Sequence, residues 1–238
     1  MLNLEPVGAI TTKPEAHWSQ HGLLGRLIAF DKMCSDAVQS NNSLACELPL
    51  FIFAHMFNRI WVIMPMILMW FIGYCRYDVM LTSQGFAALG SEIDETLKIR
   101  MGFVFMFYFD LILLAMVTST QVMKYTIKRE RPQRKLAVPR LSNLRDKEVG
   151  TYSMPSGDTS AAAVFCFINA CVMGLPAMYI ILPLVALGRV YYQCHWFGDT
   201  IIGSFVGTFW GWVGYTQFLM LIPLLQYISG PGTFVPLN

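Results

Sequence analysis

Hydrophobic residues occupy most of this chain in blocks of helical length, with the polar residues gathered between them. From His21 to Ser40, Leu23, Leu24, Leu27, Ile28, Met33, Ala37 and Val38 recur at helical spacing, while Arg26, Asp31, Lys32 and Asp36 fall on other faces. That pattern predicts an amphipathic helix that does not cross a bilayer. The apolar stretch 48–75, interrupted by His55, Asn58 and Arg59, predicts a short apolar helix and then a span over 60–75. A second span is expected at 101–123. Beyond a polar loop, three more follow closely at 159–173, 178–190 and 196–222. The last carries Gly203, Gly207, Gly211 and Gly214, which line one helix face and allow a neighbouring helix to approach closely. Residues 1–20 are polar and contain Pro6 and Pro14, and are expected to form a surface tail.

Composition turns this pattern into a class. Of 238 residues, 55% are hydrophobic and 13% charged, against about 25% charged in an average soluble domain. Mean hydropathy is +0.49. An ordinary water-soluble or disordered chain is excluded, and a single membrane-embedded domain over 21–238 is expected. Each span needs about 20 residues, so little is left for a second globular unit. The six cysteines have no Cys-x-x-Cys or His-rich spacing and read as small buried thiols, not as a disulfide framework or a zinc site. The first thirty residues show neither a secretory signal nor an Arg-rich transit pattern, so an internal span is expected to direct insertion.

The net charge of +2 conceals an uneven distribution. Between Lys124 and Glu148 there are nine basic and three acidic residues, so this segment is +6 and the remainder −4. This loop is the obvious place to bind an anion, and its position between two apolar spans argues against nucleic acid. The positive-inside tendency would place it in the cytosol or matrix.

Three polar clusters sit at span ends. Lys124 and Arg131 are seven residues apart, followed by Pro132; if the helix continues through them, they share one face. Pro155-Ser156-Gly157-Asp158 opens the next span, where free N–H groups and a positive dipole end suit a phosphate. Arg189, His195 and Asp199 form the third cluster, with His195 and Asp199 at i and i+4 so that the carboxylate can orient the imidazole. Taken singly, each cluster has an ordinary structural explanation: snorkelling cations, a helix cap, a helix pair. Span counting brings all four ends to one membrane face. Together they describe an oxyanion site with a nucleophile, as phosphoryl transfer requires.

The set Lys124-x6-Arg131-Pro132, Pro155-Ser156-Gly157 and Arg189-x5-His195-x3-Asp199 resembles the three motifs of the type 2 phosphatidic acid phosphatase and vanadium haloperoxidase superfamily. The match covers about half the chain. The resemblance implies an all-α membrane bundle of about six helices, the first amphipathic or degenerate. It implies a phosphatase for a lipid phosphate or diphosphate drawn from the bilayer, needing no metal or other cofactor. Lys124, Arg131 and Arg189 would hold phosphate oxygens and Ser156 and Gly157 would add donors. His195 would attack phosphorus to form a phosphohistidine, supported by Asp199. The chain departs from the pattern at Gly188, usually serine, and at Asp158, where the family has the histidine that protonates the leaving group. Nearby cations are expected to keep Asp158 ionised. The alternative is a catalytically impaired relative serving as a structural or anion-binding subunit of a membrane complex, with other membrane protein subunits as partners. An internal membrane such as the endoplasmic reticulum, or a mitochondrial membrane, is the expected location.

Overall fold

The structure, a computed structural model, describes residues 22–41, 43–58, 61–79, 86–88, 95–133, 140–148, 150, 152–217 and 234–236. The tail 1–20, Arg134 and Lys135 of the basic loop and the stretch 218–222 lie outside them. The principal α-helices among the described residues are α1 (Leu23–Gln39), α2 (Leu44–Met56), α3 (Ile63–Cys75), α4 (Glu95–Ile127), α5 (Gly157–Cys171), α6 (Ile181–Tyr191) and α7 (Phe197–Gln217). Two three-residue strands, β1 (Phe86–Ala88) and β2 (Phe234–Pro236), pair antiparallel. The expected all-helical bundle is found, with the apolar stretch 48–75 divided into α2 and α3 as its polar interruption suggested.

Helix α4 begins six residues before the expected span. Glu95 places a carboxylate in its first turn, where it meets the positive end of the dipole, and accepts from Lys98 Nζ at 2.6 Å. At 33 residues the helix is about 50 Å long, well beyond the hydrocarbon thickness of about 30 Å. Among the described residues it alone is long and apolar enough to cross a bilayer by itself; α2, α3 and the stretch Pro176–Tyr191 are shorter apolar helices. Phe103, Phe107, Leu111 and Leu114 form an exposed stripe along α4, while Met101, Phe105, Phe109 and Met116 are buried. An exposed stripe of this kind suits lipid, and the chain reads as a membrane protein.

The interior centres on α4 and α5, where Phe105, Phe109, Phe165 and Ile168 pack with Met69 of α3. Helix α5 packs closely on α7, and the glycine stripe explains how. A Cβ on Gly203 would lie 2.6 Å from the Ser156 carbonyl oxygen, and one on Gly207 would lie 2.0 Å from that of Ser160. Neither contact can be relieved by turning a side chain, because backbone stands opposite. Gly207→Ala should therefore force the helices apart and destabilise the protein by about 1–3 kcal/mol, read as a lower midpoint of thermal unfolding in detergent.

Helix α1 is amphipathic as expected, but its polar stripe faces inward. Asp31, Ser35 and Gln39, at i, i+4 and i+8, are buried, whereas Leu23, Leu24, Leu27 and Met33 are exposed. The inward groups meet the start of α7. Asp31 Oδ1 accepts from Gly198 N at 2.6 Å, and Ser35 Oγ accepts from Phe197 N at 2.9 Å. One helix thus supplies the N-terminal caps of another, satisfying N–H groups that have no partner within their own helix.

Candidate active site

The C-terminal ends of α4 and α6 and the N-terminal ends of α5 and α7 meet at one end of the bundle, bringing the three sequence clusters together. The route for Arg131 differs from the expected one. Helix α4 stops at Ile127, and Lys128 adopts a left-handed φ of 55°. The chain then runs extended, pairing Glu130 with Tyr152 in an isolated β-bridge. Lys124 is therefore in the last turn of α4, and Arg131 lies beyond it, so they converge through this turn rather than along a continuous helix face.

Arg131 and Arg189 are buried cations with several acceptors each. Arg131 Nη1 donates to the Cys194 carbonyl at 2.7 Å and Nε to the Gly150 carbonyl at 3.3 Å, while Nη2 lies 3.2 Å from Glu148 Oε2. Arg189 projects from the last turn of α6. Its Nη1 is 2.7 Å from Asp158 Oδ2 and 3.2 Å from the Ala54 carbonyl, and its Nη2 donates to Glu148 Oε1. Burial alone would raise the Glu148 carboxyl, but Arg189 and Arg131 outweigh it and hold it down at about 2.

His195 lies in the turn between α6 and α7, where Gln193 takes a left-handed φ of 58°. Its Nε2 is 3.4 Å from Arg131 Nη1. A guanidinium can only donate, so Nε2 presents its lone pair and the ring proton sits on Nδ1, which faces Asp199 Oδ2 at 3.6 Å. That separation is too long for a hydrogen bond; the carboxylate orients the ring by charge. Burial, reinforced by Arg131 and Arg189, pushes the imidazole well below its ordinary 6.5, so it is neutral at neutral pH. Asp199 is itself fixed: Oδ2 accepts from Trp196 N at 2.9 Å and Oδ1 from Arg129 Nη1 at 2.9 Å. Arg129 also donates to Asp31 of α1.

Ser156 caps α5. Its Oγ accepts from Thr159 N at 3.4 Å and is 2.9 Å from Thr159 Oγ1, while its N–H donates to the Asp199 carbonyl at 3.0 Å. The hydroxyl is engaged in the cap, and the backbone bond ties α5 to α7. Gly157 and Asp158 line a cavity of about 540 Å³, together with Lys124, Glu148 and His195. The lining also includes the apolar side chains of Phe57, Val62, Leu113 and Val117.

All eight residues singled out in the sequence thus meet at this end of the bundle. Three others there were missed. Arg129 was visible only as part of the basic run. Asp31 lay on the polar face of α1, with Ser35 one turn on as the only further signal. Glu148 is one of three acids in a basic loop, and no spacing marks it.

A helical membrane bundle that gathers buried cations beside a neutral, carboxylate-oriented histidine has the donors and charge that suit an oxyanion. Comparison with known proteins makes the assignment specific: the PAP2 superfamily model matches residues 104–223, and the chain belongs to that superfamily. Among solved structures it is similar to the first transmembrane PAP2-type phosphatidylglycerolphosphate phosphatase from Bacillus subtilis, with a TM-score of 0.53 and 17% identity, covering 83% of this chain and 88% of that one. A search of curated proteins returns no match.

Proposed function

We propose that the protein hydrolyses a lipid phosphate or lipid diphosphate through a phosphohistidine. The observation that carries this reading is the cavity, whose lining combines Lys124 and a neutral His195 with apolar side chains. An amphiphile with a phosphate head fits both kinds of lining. In the proposed reaction Lys124, Arg131 and Arg189 hold the non-bridging oxygens, aided by Ser156 and Gly157 at the N-terminus of α5. The Nε2 lone pair of His195 attacks phosphorus. The bond to the leaving oxygen breaks, and its electron pair departs with that oxygen. Asp199 stabilises the cationic ring. Water then attacks the phosphohistidine, releasing phosphate and restoring the imidazole. Membership of PAP2 and the likeness to a bacterial lipid phosphatase support this reading.

The test is vanadate-sensitive release of inorganic phosphate from lipid phosphates and diphosphates in mixed micelles by the purified protein. A specific observation keeps a second reading in play: Asp158, in place of the family's histidine, is paired with Arg189. Absence of turnover on either ester class, with vanadate still bound, would identify an anion-binding subunit. If the enzyme is active, its acid limb tests the state of His195. Because the ring is held below 6.5, kcat/KM should keep its value as pH falls through 6.5 and decline only at lower pH. A half-maximal rate at 6.5 would contradict a depressed nucleophile.

A further inference from the structure

We infer that Glu148 is an internal competitor of the substrate: its carboxylate occupies the place between Arg131 and Arg189 that phosphoryl oxygens take, and must leave before they bind. This rests on the phosphate-site reading above and adds a control to it. The two guanidiniums are 1% and 0% exposed, and neither contributes to the cavity wall. Glu148 does, with 12% of its side chain exposed. An incoming phosphate therefore meets the carboxylate before it meets the arginines. Each Glu148 oxygen is taken by a different guanidinium, Oε2 by Arg131 and Oε1 by Arg189. Two oxygens of a tetrahedral phosphate make the same demand of the same donors.

Charge favours exchange over coexistence. Lys124, Arg131 and Arg189 face Glu148 and Asp158, which leaves one net positive charge. A dianion added beside both carboxylates would make this enclosed site net negative, whereas a dianion replacing Glu148 makes it neutral. The two acids also differ in their freedom to leave. Asp158 is in the first turn of α5. Glu148 follows a single 3-10 turn, Leu144–Lys147, where its N–H bonds to the Arg145 carbonyl at 3.3 Å. Its side chain can swing away without displacing a helix.

The experiment is a titration of the full chain in detergent with inorganic phosphate, following binding of labelled phosphate and the midpoint of thermal unfolding. Glu148→Gln should lower the midpoint without phosphate, because two buried guanidiniums lose an anionic partner. It should also bind phosphate at least about 10-fold tighter than the unaltered protein, as expected when a charge-assisted competitor is removed, and regain the lost stability as phosphate is added. Glu148→Asp keeps the charge but is one methylene shorter, and should give a smaller tightening; it decides the matter if the glutamine variant does not fold. Phosphate binding no tighter than that of the unaltered protein in the folded variants would overturn the inference and leave Glu148 a structural partner of the arginines. Absence of phosphate binding in the unaltered protein and in both variants would bring down the phosphate-site reading itself, and this inference with it.

Discussion

Replacing His195 by alanine is expected to lower turnover on the order of 10⁴-fold or more, the scale seen when a covalent nucleophile is lost. Unaltered protein quenched during turnover of labelled substrate should carry acid-labile, base-stable phosphate, and the variant none. The geometry sets His195 apart from Ser156, the other nucleophile near the cavity. Nε2 accepts only a long contact from Arg131, at 3.4 Å, and its ring is neutral. The Ser156 hydroxyl is held by Thr159. Acid-stable phosphoserine at Ser156 would reverse the assignment.

Leaving-group chemistry gives the second large effect. A phosphomonoester expels an alkoxide and needs a proton at the leaving oxygen, whereas a diphosphate expels a phosphomonoester that departs readily as an anion. The two carboxyls on the cavity wall are poorly placed to supply that proton at neutral pH. Asp158 is ion-paired with Arg189 at 2.7 Å; burial outweighs the expected depression by the cations and lifts its carboxyl to about 6, still mostly ionised at neutral pH, and Glu148 is held down at about 2. Turnover at neutral pH should therefore favour a lipid diphosphate over the matching monophosphate. General acid catalysis is worth about 10²–10⁴-fold. Asp158→His should restore a share of this, raising monophosphate turnover more than diphosphate turnover. Equal rates for the two esters in the unaltered protein would refute the argument.

Much of this was legible in the sequence because the informative residues are spaced within single elements or at their ends. The glycine period placed a close contact on α7, and span counting placed Lys124, Ser156, Arg189 and His195 at one end. The sequence read less well where contacts join distant segments. Nothing local indicates that α4 ends in a left-handed turn at Lys128, so Arg131 looked like a helix-face partner of Lys124. The inward face of α1 was not readable either. In water its leucines would be buried, whereas beside lipid they face outward and the polar stripe becomes the packing surface. Glu148 was hidden for a different reason: a carboxylate in a basic loop resembles ordinary charge balance until its two arginine partners are located.

The caps that α1 places on α7 join residues 162 and 167 positions apart, and Arg129 links Asp31 to Asp199 across the same gap. As the chain is synthesised, α1 emerges early and must wait for α7 before Asp31 and Ser35 find their N–H partners. Until then the N–H groups of Phe197 and Gly198, just past His195, lack these acceptors. A partly made chain can thus hold Lys124 and Arg131 before the last partners of the proposed nucleophile's turn are in place.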